Sequence, residues 1–326
     1  DGYFGHSVDT AGNRIIVSAP DGPSNGTSIY TFGCSAQTYV SQHRLSISTR
    51  HPTQRFYRSA VSSEGILSVL YDVVDQESNA LPSLALYHSN GSDWAFEAEK
   101  PLDRVFPQRF TAVSESGLRM AISQPGVYEQ SGLLRSAIQI YNRRTAERRA
   151  TMDPPVGRHG KLLALENSRL AAILARNWHD DPTLAVYELE GAAWQLIAQA
   201  SLPDSYRLNT RLALSGDLVA VTTIADHDGV MGAGSGLVFE LRDRELVRIS
   251  DLRPPAIREN AWFGSHVVAN GGQIMSSESG ASHLFRRFGH QFQWYRGFSP
   301  PDGGIGYPSP LALTEAFAVV GTPRAA

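Results

Sequence analysis

The sequence predicts an all-β chain: a seven-bladed β-propeller of four-stranded antiparallel blades, with the seventh blade incomplete. Three observations predict it. Short apolar or alternating runs recur about every 50 residues, the period of a propeller blade. Tight turns rich in Gly, Asn and Ser join neighbouring runs, as hairpins with positive φ require. An aromatic residue recurs in the third run of each unit, a large side chain suited to stacked sheets. A unit of this size cannot bury its own apolar face, so copies must pack on their neighbours.

The elements follow in order. First strands are read at Ser7-Val8, Ser59-Ala60-Val61, Thr111-Ala112-Val113, Leu163-Ala164-Leu165, Leu212-Ala213-Leu214, His266-Val267-Val268 and Leu311-Ala312-Leu313. Turns such as Ser63-Glu64-Gly65, Ser116-Gly117, Ser215-Gly216-Asp217 and Asn270-Gly271-Gly272 lead into the second strands. These are Ile15–Ala19, Leu67–Tyr71, Arg119–Ser123, Leu170–Leu174, Leu218–Thr222, Gln273–Ser277 and Phe317–Gly321, each a short run bounded by turn residues. Third strands are expected to end at Tyr30, Tyr87, Tyr141, Tyr187, Phe239 and Phe285. Fourth strands open near Tyr39, Trp94, Trp194 and Phe292. The repeats run approximately 3–52, 53–105, 106–155, 156–204, 205–257, 258–302 and 303–326, within one domain spanning 1–326.

Phe4-Gly5, then Ser18-Ala19-Pro20, then Gly26…Tyr30-Thr31-Phe32 resembles the FG-GAP repeat, the blade of integrin α-subunit propellers. Phe263-Gly264-Ser265 repeats the opening and Val320-Gly321-Thr322-Pro323 the middle. The fourth unit departs, with Gly157-Arg158-His159-Gly160 in place of Phe-Gly. The blades with Trp94 and Trp194 resemble those of bacterial secreted and surface proteins. The resemblance implies a secreted, periplasmic or cell-surface module engaged in adhesion, protein binding or carbohydrate binding. Calcium-binding members of that family carry an Asp-x-Asp-x-Asp-Gly loop, because a hard cation wants a cage of oxygens. None of the turns here has that triplet, so no cofactor is expected and calcium is not carried over.

Hydrophobic residues make up 42% and charged residues 19% of 326, enough apolar material for a core that grows blade by blade. A net charge of -3 gives no case for nucleic acid or an anionic membrane surface. Lysine occurs only at Lys100 and Lys161. The basic run Arg143-Arg144…Arg148-Arg149 reads as a solvated hairpin turn. Cys34 is the single cysteine, so an internal disulfide is impossible. No apolar run is long enough to span a bilayer as a helix. The seventh unit stops after its second strand. An open blade would leave an unpaired edge, so the missing strands are expected from further sequence of the same polypeptide or from another segment.

Three sets of residues are candidates for chemistry. His179 and Asp180, and Asp226 and Asp228, lie in loops between second and third strands, and such Asp/His groups can ligate a divalent ion. Asp-Gly and Asp-Asp-Pro are equally ordinary turn sequences. Arg58, Arg109, Arg158, Arg207 and Arg211 recur where units two to five open, and a ring of arginines can hold a carboxylate, sulfate or acidic sugar. Trp262 and Trp294 are aromatics suited to sugar stacking or a protein contact. There is no nucleophile elbow, zinc-protease motif or phosphate loop. The expected role is therefore a non-enzymatic binding or scaffold module that recognises a protein or glycan partner through loops on one face. The alternatives are a polysaccharide hydrolase or lyase with a central-channel site, and a purely structural module of a larger assembly.

Overall fold

Alternating side chains and two-residue turns fold the chain into successive antiparallel meanders. The computed structural model describes residues 7–11, 14–20, 26–35, 38–48, 55–61, 66–74, 80–89, 94–101, 112–116, 119–128, 134–145, 147–152, 154, 159–175, 181–206, 209–299, 310–314 and 318–320. Sheet I comprises β1 (Ser7–Ala11), β2 (Arg14–Pro20), β3 (Gly26–Ser35) and β4 (Thr38–Ser48). Sheet II comprises β5 (Arg55–Val61), β6 (Ile66–Val74), β7 (Ala80–Ser89) and β8 (Trp94–Pro101). Sheet III comprises β9 (Ala112–Ser116), β10 (Arg119–Tyr128), β11 (Leu134–Asn142) and β12 (Arg148–Met152). Sheet IV comprises β13 (His159–Glu166), β14 (Arg169–Ala175), β15 (Thr183–Glu190) and β16 (Ala193–Ser201). A short 3-10 turn, Asp204–Tyr206, leads to sheet V: β17 (Thr210–Ser215), β18 (Leu218–Thr223), β19 (Ser235–Arg242) and β20 (Glu245–Leu252). Sheet VI comprises β21 (His266–Asn270), β22 (Gln273–Glu278), β23 (Ala281–Phe288) and β24 (Gln291–Phe298). Sheet VII has two strands among the described residues, β25 (Leu311–Leu313) and β26 (Ala318–Val320). The chain is thus all-β, and no described helix is long and apolar enough to cross a membrane.

The chain divides into two compact units. The first holds sheets I, II and VII; within it, β1 lies beside β5 and β25. Its core includes Ile16, Leu67, Val69, Leu84 and Leu86, all fully buried. The second holds sheets III to VI. There the first strands β9, β13, β17 and β21 run side by side in chain order, and so do the fourth strands β12, β16, β20 and β24. Successive sheets therefore stack face to face. Strand periodicity explains how the second strands β14 and β18 are apolar on both sides. In β14, Leu170, Ala172 and Leu174 face sheet III, while Ala171 and Ile173 face sheet V. In β18, Val219 and Val221 face sheet IV, while Leu218 and Ala220 face sheet VI. Each large aliphatic side chain so buried contributes about 1.5–3 kcal/mol.

One irregularity recurs in all six four-stranded sheets. The third and fourth strands slip by one residue at Phe32, Tyr87, Tyr141, Tyr187, Phe239 and Phe285. The extra residue on the fourth strand is Gln42, Glu97, Arg149, Ile197, Ile249 or Tyr295. This is a β-bulge. The aromatic is also fixed relative to the second strand: Ile15 faces Phe32, Leu67 faces Tyr87, Leu170 faces Tyr187, Val219 faces Phe239 and Ile274 faces Phe285.

That register corrects four alignments drawn from the sequence. Phe32, not Tyr30, is the equivalent of Tyr87. The two share a strand face, and a slip of two residues leaves an alternating pattern unchanged. In sheets I, III and VI the first-strand residues equivalent to Val61, Leu165 and Leu214 are Thr10, Glu115 and Ala269, facing Ile15, Met120 and Ile274, rather than Val8, Val113 and Val268. The third strands also continue past the aromatic, as β15 does from Tyr187 to Glu190. In the turn at Asn142–Glu147, Arg143 is 1% exposed rather than solvated, while Asn142 Oδ1 accepts the Arg144 amide at 2.8 Å.

Candidate binding face

Within each meander the first–second and third–fourth turns share one end, and the longer connections share the other. At the turn end, neighbouring sheets of the second unit are laced together. Arg119 Nη1 donates to Asn167 O at 2.9 Å, and Arg169 bonds Glu188 at 2.8 Å and pairs with Asp217. The Gly216 amide donates to Glu166, and the Gly271 amide to Ser215 Oγ at 2.9 Å. Arg287 reaches Glu240, and Arg244 reaches Glu190, each at 2.6 Å. Glu166 and Asp217, the carboxylates of turns where the family resemblance would put a cation, are committed to protein donors.

The opposite end of sheets V and VI carries two longer segments, 224–234 and 253–265. The first folds on Asp228-Gly229. His227 and Val230 exchange both amide bonds, at 3.1 and 2.9 Å, and the two central residues have φ of 51° and 78°. Two positive φ values make this a type I′ hairpin, which is why the sequence there is Asp-Gly. Asp226 Oδ1 accepts the Gly232 amide at 2.7 Å. Asp228 Oδ2 accepts Arg253 Nη1 at 2.8 Å and lies 3.3 Å from His227 Nε2. Both carboxylates therefore brace the loop.

The second segment is zipped to the first. The Asn260 amide donates to Met231 O and the Trp262 amide to Gly232 O, both at 2.8 Å. Gly234 bridges Phe263 in parallel. A methyl on Gly234, whose φ is 76°, would run into the Phe263 backbone. From here adjacent residues part. Phe263 is fully buried between sheets V and VI, with its ring 6.0 Å from that of Phe285. Gly264, with φ of 88°, lies so close to Thr222 that a Cβ would approach Thr222 Cβ to 2.8 Å. Thr222 Oγ1 donates to Gly264 O at 2.8 Å. A ring that plugs the core followed by a residue that must lack a side chain is the physical content of Phe-Gly at this point. Trp262 points the other way. It is 39% exposed and has φ of 54°, a conformation that costs a bulky residue on the order of 1–3 kcal/mol. Met231 and Ile257 are also exposed.

Beneath this surface sits a buried polar group. Glu278 is 2% exposed and pairs with Arg258. His283 Nε2 faces it at 3.3 Å. The Trp294 indole N–H donates to His283 Nδ1 at 3.2 Å, which leaves the imidazole proton on Nε2, toward the carboxylate. Burial alone would push the Glu278 carboxyl up, but His283 and Arg258 outweigh it and hold it below its ordinary value. Sequence reasoning missed this group. The usable signal was Glu278 on the same strand face as Ile274 and Ser276, an acid on an inward face.

The candidates from the sequence are thus distributed as follows. Trp262 and Asp226 and Asp228 come together on the two braced segments. Trp294 lies on β24, 44% exposed and tied to His283. Arg58 is in β5, facing Leu70 in the register. Arg211 is exposed and bonds Thr210 O at 2.9 Å. Arg109, Arg158, Arg207, His179 and Asp180 lie outside the described residues.

The sequence matches no protein-family model and no curated protein. Solved structures do share the fold. The β-propeller domain of the Trilobed protease from Pyrococcus furiosus, described as having an open velcro topology, aligns with 96% of this chain and 89% of its own, at 8% identity and a TM-score of 0.55. The WD40 domain of Toxoplasma gondii coronin aligns with 94% of this chain and 73% of its own, at 9% identity and 0.58. A prolyl endopeptidase aligns with 94% of this chain, which spans 42% of that enzyme, at 12% identity and 0.55. At these identities the likeness is one of fold: the four-stranded sheets are those of a β-propeller.

Proposed function

We propose that this chain is a seven-bladed propeller of the FG-GAP type, serving as a non-enzymatic binding module of a secreted or cell-surface protein. It recognises a protein or glycan through the connections at the end opposite the laced turns. The observation that carries this reading is Trp262: an exposed indole on a strained backbone, its amide and that of Asn260 donating to carbonyls of a second loop. Strain of this kind persists only where surroundings over-determine it, and it clusters where a side chain is presented to a ligand. Rigid sheets beneath variable connections are the usual arrangement for recognition. The FG-GAP assignment draws support from Phe263-Gly264, whose packing gives that dipeptide a structural task.

The test is a paired screen of the intact chain and its Trp262→Ala variant on a glycan array and against peptide ligands. Binding by the parent that falls at least about tenfold in the variant is expected, the loss typical of an interfacial tryptophan. Cleavage of a polysaccharide by the purified chain, lost on Arg109→Ala or Arg158→Ala, would replace this reading with the enzymatic one.

A further inference from the structure

The two braced segments specify more than a place. Their exposed apolar side chains are Met231 at 54%, Ile257 at 42% and Trp262 at 39%. The Asn260 and Trp262 amides donate to Met231 O and Gly232 O, which brings Met231 and Trp262 together, with Ile257 on the same connecting segment as Trp262. Of the ionisable groups around them, the arginines are engaged. Arg253 lies on Asp228, and Arg258 on Glu278. The carboxylates are in excess. Glu259 is exposed beside Asn260 and Trp262, and Asp226 is exposed with only Oδ1 used by the Gly232 amide; among the described residues no ion pair joins either of them to a cation. Among the described residues of these two segments, the surface is apolar with an acidic rim, and both arginines are paired.

Resting on the reading that this end of the sheets binds a partner, we infer that the partner offers an extended peptide segment with an aliphatic or aromatic anchor next to lysine or arginine. The anchor lies on the Trp262 indole beside Met231, and the basic side chain meets Glu259. Complementary charge at the rim governs encounter and register, while the buried aromatic contact governs residence.

The experiment is selection from a random-peptide phage library on the intact chain, followed by titration of enriched synthetic peptides. The expected result is enrichment of peptides with an apolar anchor beside Lys or Arg. Their Kd should rise about tenfold with Trp262→Gly and several-fold, in a salt-dependent way, with Glu259→Gln. Trp262→Gly removes the indole at a backbone conformation that glycine favours, so loss of binding is not loss of the fold. Peptides that are acidic, peptides indifferent to both substitutions, or no enrichment at all overturn the inference. Glycan-array binding lost in Trp262→Gly also overturns it while leaving the recognition face in place. Concentration-dependent self-association abolished by the same substitution makes a second copy the occupant and overturns it too.

Discussion

A single side chain here shows its role through what it lacks or what holds it. The Tyr187 hydroxyl is buried, has no hydrogen-bond partner among the described residues, and burial pushes its pKa up to about 12. An unsatisfied buried hydroxyl is costly, so Tyr187→Phe is expected to leave the unfolding free energy from urea titration unchanged or raise it by up to about 1 kcal/mol. Tyr206, whose hydroxyl lies 3.2 Å from Ser235 Oγ, should instead lose about 1 kcal/mol as phenylalanine. Glu278 is the opposite case. Its carboxyl is held below the ordinary value of 4.5 in the folded chain. It therefore stabilises the fold above that value, and the contribution is lost as pH falls through the lower folded value. In Glu278→Gln the fall in stability between neutral and acid pH should be shallower than in the parent. An identical pH profile for the two would deny the pairing. None of this was legible beforehand. Sequence alternation shows that Glu278 faces inward, but its partners Arg258 and His283 come from other elements.

At the scale of elements, the two connections between sheets V and VI depend on each other. Gly234 has no room for a methyl group and holds a φ that other residues rarely adopt, so Gly234→Ala should cost more than about 1 kcal/mol. It should also raise proteolytic nicking near Met231, which limited digestion followed by mass spectrometry would locate. Here the sequence was partly readable. Asp228-Gly229 announces a tight turn, and the runs Leu170–Leu174 and Leu218–Thr222 fall inside β14 and β18 because buried second strands are apolar on both faces. What stayed hidden was register. Tyr30 and Phe32 satisfy the same two-residue period, and only hydrogen bonding to Ile15 selects Phe32. Met231 and Ile257 were invisible as a surface, since a thioether and an alkyl chain carry no mark of exposure in a sequence.

Sheets III to VI adhere by apolar faces and carry exposed ion pairs. Arg244 with Glu190 and Arg248 with Asp251 are accessible to solvent, and pairs of this kind are worth about 0–1 kcal/mol each. Sodium chloride at high concentration should therefore lower the urea midpoint only slightly. A collapse of stability would mean that charge rather than burial holds the sheets together. The bulge near the outer strand of each four-stranded sheet has a different consequence. Every such strand leaves a row of amides and carbonyls facing outward, a template on which a neighbouring molecule can polymerise. One extra residue breaks the spacing of that row and increases its twist, and in sheets II, III, V and VI charged residues such as Glu97, Arg148, Arg248 and Arg296 stand along it. A flat ribbon has nothing regular to lie against, which disfavours edge-to-edge growth, and deleting Ile249 should show as a rise in thioflavin-positive aggregate.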